Sequence, residues 1–415
     1  MTIEPLRLCE YQTQRVGWTR EQREAIAAAA EAWRDEHRLP ISPLAFEGVD
    51  GCTLRVQQYV GIIEAGGVCV EIYPKLDAAL MAGAILDTVR ASSVMGNLLW
   101  LLEESGYGGL VDAGEASVED APEAIGDLLA WLFAKRMSKQ LAFGAPQDFI
   151  ARSDDIPLVR GRIRFARQAS ALFNRPDTIA CQWDEFTSDT PLARLLRCAA
   201  EILLARVRLP AAAADLRKVI GVLEEAESVS SLEALSGTAG ICWSRRNARW
   251  RACHDLALSI LQGLGRTMHA GRTKSFVFLL NMNALFESFC ARWLEQRFGV
   301  PVYEQVRLGH LLGAPSERLG QDADFVWHAQ SAVFVGDAKY KIAGGESWPR
   351  IDDVRQLICY GQLAVQKYAV ATSHLMILHP TVGAEVAQVL RTFDGQMLTL
   401  QAVRVVRGAG GKTCD

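Results

Sequence analysis

The sequence predicts a multidomain α/β protein. A β-rich N-terminal module is expected over residues 1–84, a mainly helical middle region over 85–270, and a C-terminal α/β/α domain over 271–415. Three observations carry this reading. The chain has 415 residues, more than one ordinary hydrophobic core organises. Strand alternation and a Gly-Gly hairpin signal fall before residue 75, and helical patterns dominate from residue 84. Between Asp322 and Lys341 two strand patterns carry acids and lysines at their ends, and an amphipathic helix follows.

Composition narrows the classes. Hydrophobic residues make up 50% and charged residues 22%, as in a folded soluble protein. The net charge is −4 and the pI about 6.0. Nucleic-acid contacts must then come from local basic patches, because no global positive field exists. The start M-T-I-E-P-L-R lacks a signal-peptide core, and no apolar run is long enough to span a membrane. A cytoplasmic protein with no membrane partner is expected. The 10 cysteines include no C-x-x-C pair and read as buried thiols, neither a disulfide framework nor a zinc site.

Taken in order, residues 19–37 predict a helix with Thr19 as N-cap and Gln22 at the capping-box position. Thr53–Tyr59 alternates as a strand that continues through Val60–Ile63. Gly66-Gly67 makes a tight turn, Val68–Tyr73 returns, and Pro74 ends the strand ahead of Lys75. Helices are expected over 84–107 and from about 124 to 143, with an acidic loop over 111–123 between them.

A basic stretch, L-V-R-G-R-I-R-F-A-R-Q, covers 158–168, and a β-hairpin is expected near 158–186. Arg160, Arg162 and Arg164 alternate on one strand face. They are candidates for DNA phosphate contacts, or for ion pairs with Asp184, Glu185 and Asp189 across the hairpin. A helix begins near Thr190-Pro191. In W-S-R-R-N-A-R-W-R-A-C-H, helical spacing puts Arg245 and Arg249 on one face, which suits either DNA or solvent.

Residues 275–298 predict a helix whose apolar stripe runs through Met282, Leu285, Phe286, Phe289 and Trp293, with Glu287 at its edge. Two strands follow, Asp324–Trp327 and Ala332–Tyr340, joined by a turn at His328–Ser331. Val333, Val335, Asp337 and Lys339 share one strand face, and Asp324 reaches the same edge. Converging carboxylates repel, and a divalent cation relieves the conflict. A nearby lysine can hold a water or a phosphate oxygen. An Asp followed by Asp-x-Lys is therefore a credible phosphodiesterase centre. Asp322 shares the face of Asp324 and competes as ligand, but the apolar F-V-W run follows Asp324 directly. A helix from Asp352 to about Lys367, capped by Asp352 or Asp353, sets Gln356 and Tyr360 on one face. An apolar strand at His374–Leu378 and an amphipathic tail complete the sandwich.

This arrangement resembles the PD-(D/E)xK nuclease superfamily. Within it, V-G-D-A-K-Y-K with Asp324 ahead is similar to the McrC nuclease subunit of McrBC-type restriction systems. Further resemblances lie in Y-V-G-I-I-E-A-G-G-V-C-V-E-I-Y-P-K-L, in R-G-R-I paired with W-D-E-F-T-S-D, in F-L-L-N-M-N-A-L-F-E-S-F-C and in D-V-R-Q-L-I-C-Y-G-Q-L-A. One departure is Ala323, where the family carries proline before the first catalytic aspartate.

The resemblance implies Mg²⁺ held by Asp324, Asp337 and the carbonyl of Ala338, with Glu287 assisting. It implies that Lys339 orients the attacking water, that Gln356 positions water or substrate beside Tyr360, and that Lys341 and the arginine clusters meet DNA. It further implies docking of the N-terminal part on a hexameric McrB-like AAA+ GTPase ring, stimulation of its GTP hydrolysis, and cleavage of double-stranded DNA bearing modified cytosine. GTP would enter only through that partner. The G-A-G-G-K-T tail at 408–413 is not a phosphate loop, since position 406 is Val and the chain stops two residues beyond Thr413. A non-cleaving activator of a GTPase, or a stand-alone nuclease, are the alternatives.

Overall fold

The computed structural model describes residues 4–106, 122–172, 175, 177–265, 275–310, 320–329, 332–340, 349–392 and 395–407. The chain divides into two compact units, residues 1–126 with 272–415, and residues 127–271. The expected N-terminal module and C-terminal domain therefore share one unit. Among the described residues no helix is long and apolar enough to cross a membrane.

The first unit opens with β1 (Leu6–Cys9), β2 (Thr13–Arg15), α1 (Arg20–Glu36), β3 (Leu44–Glu47), β4 (Thr53–Val56), β5 (Tyr59–Ala65) and β6 (Val68–Tyr73). Thr19 and Gln22 form the expected capping box on α1. The single strand expected from Thr53 onward is two strands in different sheets. β4 lies between β2 and β3, whereas β5 joins the order β1-β6-β5-β10. Gly66 and Gly67, at φ +60° and +76°, turn β5 into β6, as a two-residue hairpin requires. Ile26, Ala30 and Trp33 of α1 pack on this sheet with Ile63, Val70 and Ile72.

After α2 (Ala78–Met81) and α3 (Thr88–Ser105), the first unit resumes at β10 (Phe276–Asn281) and α10 (Met282–Phe298). The helix expected over 275–298 is thus corrected at its start. Phe276–Leu280 is a short apolar run, which fits a buried strand as well as a helix, and it pairs antiparallel with β5. Asn281 then stops the strand, its side chain accepting from the N–H groups of Asn283 and Ala284 as the N-cap of α10. Trp100 of α3 packs edge-on against Phe289 of α10, their ring centres 5.6 Å apart.

The six-stranded sheet follows, with β11 (Val302–His310), β12 (Gly320–Ala329), β13 (Ala332–Ala338), β14 (Ser373–Thr381), β15 (Ala387–Arg391) and β16 (Met397–Arg404). Their order is β11-β12-β13-β14-β16-β15. β11 to β13 are antiparallel, β13, β14 and β16 are parallel, and β15 returns antiparallel to β16. β12 extends through His328 and Ala329, which had been expected in the turn, and β14 runs on through Pro380. The tail supplies strands: β16 pairs with β14 and carries β15 beyond it.

α11 (Ile351–Tyr368) covers one sheet face, with Leu357, Tyr360 and Ala364 against Val326, Val333, Val335 and Ile377. Side chains alternate along a strand, so Trp327 and Phe334 point the other way, where Phe298 of α10 meets both rings. The N-cap of α11 is Arg350. Asp352 and Asp353 sit in its first turn, where acids favour the helix dipole without capping it.

The second unit holds α4 (Ile125–Leu141) from its first turn, β7 (Asp148–Ile156), β8 (Arg162–Ile163), α5 (Phe165–Ser170), β9 (Ile179–Thr187), α6 (Pro191–Leu204), α7 (Pro210–Val222), α8 (Ser231–Gly237) and α9 (Arg251–Gly265). In place of a simple hairpin over 158–186, β9 lies between β7 and β8. α6 packs against α7, α8 and α9, and Thr190 caps α6 ahead of Pro191. Of the described cysteines, Cys9, Cys69, Cys181, Cys198, Cys253 and Cys290 are buried, but Cys242 and Cys359 are exposed, so burial is not general.

Candidate active site

The site forms where the β12–β13 ladder ends. Phe325 pairs with Gly336, and Val326 with Val335, so Asp324 and Asp337 lie just beyond the last paired residues. Oδ2 of Asp324 accepts the backbone N–H of Ala338 at 2.9 Å. Asp337 is only 2% exposed. Its Oδ2 lies 2.7 Å from Lys339 Nζ in an ion pair, and an ionised carboxylate oxygen can accept from a further ligand as well.

The electrostatics follow from this crowding. Burial, reinforced by the Asp324 carboxylate and offset by Lys339, pushes Asp337 up to about 7. Burial, then Asp324 and Asp337, push Glu287 of α10 up to about 7 as well. Burial acts to lower Lys339, but the Asp337, Asp324 and Asp353 carboxylates outweigh it and hold the ammonium above its ordinary value. Three carboxyl groups and one lysine therefore share one field. Gln356 Nε2 donates to Tyr360 Oη at 2.6 Å. Tyr360 is raised by burial and, more weakly, by Asp337 and Asp324.

Asp322 is engaged elsewhere, in an ion pair with Arg307 of β11. Two neighbours escaped the sequence reading. Gln305 of β11 donates to Asp324 Oδ1 at 3.5 Å and takes φ +49°, a left-handed conformation rare for a non-glycine. No residue-type signal marks it. Asp353 was read as a cap, yet it is 9% exposed and acts on Lys339. Its position one turn before Leu357 on the buried face of α11 was the available signal.

The donor set is all hard oxygen and suits a hard divalent cation such as Mg²⁺. Crowded carboxylates with a buried, incompletely engaged oxygen at Asp337 fit such an ion. Asp324 and Asp337, with the Ala338 carbonyl and Glu287 beside them, are the groups able to hold it. Among the described residues no set of three or more His, Cys, Asp or Glu side chains is already drawn together as a ligand cluster. In the present geometry the cationic partner of Asp337 is Lys339.

The basic candidates are dispersed. Arg160 stacks on Trp183, 4.7 Å from its ring centre, and pairs with Glu185 at 3.3 Å. Arg162 and Arg164 are exposed, but the three arginines do not share a strand face. β8 is only two residues long, and Arg164 is already the N-cap of α5. Nor do Arg245 and Arg249 share a helix, since Arg245 lies in a turn and Arg249 in a 3₁₀ turn ahead of α9. The Arg249 guanidinium donates to the carbonyls of Gln140, Phe143 and Gly144 at 3.3, 3.1 and 2.9 Å. It closes the end of α4, where four carbonyls lack intrahelical donors. Lys341 lies outside the described residues.

A family model described as "McrBC 5-methylcytosine restriction system component" matches residues 54–378. The chain belongs to this McrBC family. The matched span includes Glu287, Asp324, Asp337, Lys339, Gln356 and Tyr360, and it ends before β15 and β16. Among solved structures, the chain is similar to one in a refined half-complex of Thermococcus gammatolerans McrB AAA+ hexamers with bound McrC. That match has a TM-score of 0.70 at 17% identity and covers 97% of this chain and 94% of that one. A chain of the Thermococcus gammatolerans McrBC complex matches with a TM-score of 0.51 at 16% identity, over 70% of this chain and 87% of that one. No curated protein matches.

Proposed function

We propose that this McrBC-family chain is the DNA-cleaving subunit of a restriction system, hydrolysing phosphodiester bonds with Mg²⁺ at Asp324, Asp337 and Lys339. The observation that carries this is the buried Asp337, crowded by Asp324 and paired at 2.7 Å with Lys339. A structural ion pair needs no second carboxylate, whereas phosphodiester hydrolysis uses all three groups.

Asp324, Asp337 and the Ala338 carbonyl would hold the cation, with Glu287 beside them. Bound there, Mg²⁺ supplies Lewis-acid stabilisation of the charge developing on the scissile phosphate. The Ala338 N–H fixes the rotamer of Asp324. Lys339, 2.7 Å from Asp337, would orient the attacking water. Tyr360 holds the Gln356 amide at the rim, where an exposed carboxamide meets substrate.

In one of the similar structures McrC is bound to McrB AAA+ hexamers. We extend that assembly to this chain, with docking on a McrB-like GTPase ring, stimulation of its GTP hydrolysis, and cleavage of double-stranded DNA carrying modified cytosine. The test is cleavage of methylated plasmid with Mg²⁺, GTP and the cognate AAA+ partner, comparing wild type with Asp337→Ala and following GTP hydrolysis in the same tubes. Cutting by wild type alone, with equal stimulation by both, supports the reading. Stimulation without cutting by either would make the chain an activator only.

A further inference from the structure

Glu10 is a fully buried carboxylate just after β1, 0% exposed. Its backbone N–H donates to the carbonyl of Tyr73 at 2.9 Å, which prolongs the pairing of β1 with β6. Its side chain serves a different part of the unit. Oε1 accepts the Tyr340 hydroxyl and the backbone N–H of Lys75, both at 2.8 Å, while the buried Oε2 has no hydrogen-bond partner among the described residues.

Tyr340 follows Lys339 directly, at the point where the chain leaves the sheet. β13 ends at Ala338, and the Lys339 N–H makes a further bond to the carbonyl of Leu378 at 2.9 Å. Among the described residues, no further ladder bond of this segment follows it. The Tyr340 ring, 7% exposed, packs on Phe286 with ring centres 5.7 Å apart, and Phe286 directly precedes Glu287. One hydroxyl–carboxylate bond thus anchors the neighbour of Lys339 and, through a ring contact, the neighbour of Glu287. Burying a carboxylate is costly. What it gains over an apolar residue is acceptance of two donors from separate segments.

We propose that Glu10, acting through the Tyr340 hydroxyl, is a positioning residue that sets where Lys339 and Glu287 stand relative to Asp337. Glu10 lies ahead of the matched residues 54–378, directly after the first strand of the chain. The orientation of the lysine is thereby fixed from the far end of the sequence. The consequence for cleavage rests on the nuclease reading of the site; the consequence for the lysine's surroundings does not.

The test is a double-mutant cycle of Glu10→Ala and Tyr340→Phe, with Glu10→Gln as the conservative variant, in the full chain assembled with its AAA+ partner. Tyr340→Phe keeps the ring on Phe286 and removes only the hydroxyl. It is expected to lower kcat on the order of 10- to 100-fold, as small misplacements do, with KM for DNA and stimulation of GTP hydrolysis unchanged. Glu10→Ala should match it, the double variant should be no worse than either, and Glu10→Gln, which keeps an acceptor oxygen, should recover much of the rate. Wild-type cleavage by Tyr340→Phe, additive losses in the double variant, or a fall in kcat that merely follows lowered melting temperature would overturn the proposal.

A second arm needs no cleavage. The Lys339 resonance of the ¹³C-dimethylated protein, assigned with Lys339→Arg, should move toward exposed-lysine values in Tyr340→Phe. An unmoved resonance refutes the positioning role even if wild type never cuts, whereas absence of cutting by wild type alone counts against the nuclease reading.

Discussion

Asp324 reaches across to the neighbouring strand, its Oδ2 2.9 Å from the Ala338 amide nitrogen. One carboxylate thereby fastens the middle of β12 to the last residue of β13, next to Asp337. The fastening and the charge can be separated. Asp324→Asn retains an acceptor for the amide and is expected to melt within a few degrees of wild type while losing several powers of ten in cleavage. Asp324→Ala removes the acceptor too and should cost about a further 1 kcal/mol of stability. Thermal melts and plasmid nicking, run side by side, check both.

The raised carboxyls fix a pH dependence for the metal-free protein. Asp337 and Glu287 are both held near 7, above their unfolded values of about 4. Between those limits the unfolded chain has released its protons and the folded site has not, so the unfolded state binds fewer protons. Stability from this site is therefore full below about pH 4 and falls until about pH 7. Urea midpoints in EDTA should decline over that window beyond the trend shown by Glu287→Gln. Added Mg²⁺, which favours the ionised carboxylates, should restore stability most at pH 7 to 8. A flat difference between wild type and Glu287→Gln would remove Glu287 from the shared field.

Arg249 is expected to matter for stability and little for DNA. Its guanidinium serves three carbonyls at the end of α4. Arg249→Ala should cost roughly 1–3 kcal/mol, read in a denaturant titration. The salt dependence of DNA binding should keep its slope, since a lost phosphate contact would reduce it by about one unit.

Gly66 turns β5 into β6 at φ +60°, and a Cβ there would lie 2.8 Å from Ala25 Cβ of α1. Gly66→Ala meets both the backbone penalty and the helix, and should lose about 2 kcal/mol or more. Gly67→Ala, at φ +76° with nothing within 4 Å, should lose less. The difference in melting temperature between the two variants measures the helix contact.

Local chemistry was readable wherever one short stretch decides it. The Thr19 and Gln22 capping box, the Gly66-Gly67 turn and the Thr190-Pro191 helix start are written in a few adjacent residues. The D-A-K spacing likewise put Asp337 and Lys339 on one strand face. What the sequence hid depends on distant partners. Phe276–Leu280 is apolar on every side and takes its identity from β5, more than 200 positions away. Arg245 and Arg249 fit a helix, but Ser244 to Asn247 turn the chain through their own side-chain bonds, with Asn247 Oδ1 accepting from the Ser244 N–H at 2.8 Å. The grips of Gln305 on Asp324 and of Glu10 on Tyr340 follow no spacing rule, because each joins segments that only the fold brings together.

The pairing of β10 with β5 has a consequence for how the protein is made. A ribosome finishes β5 at Ala65 and must produce residues 66–275 before β10 can emerge. At 5–20 residues per second that is a delay of roughly 10–40 s. During it one side of a strongly apolar strand, Y-V-G-I-I-E-A, has no hydrogen-bonding neighbour, and unpaired edges of this kind recruit foreign strands. The nascent chain thus carries an aggregation hazard near its beginning, and the hazard lasts until translation has passed the whole of the second unit.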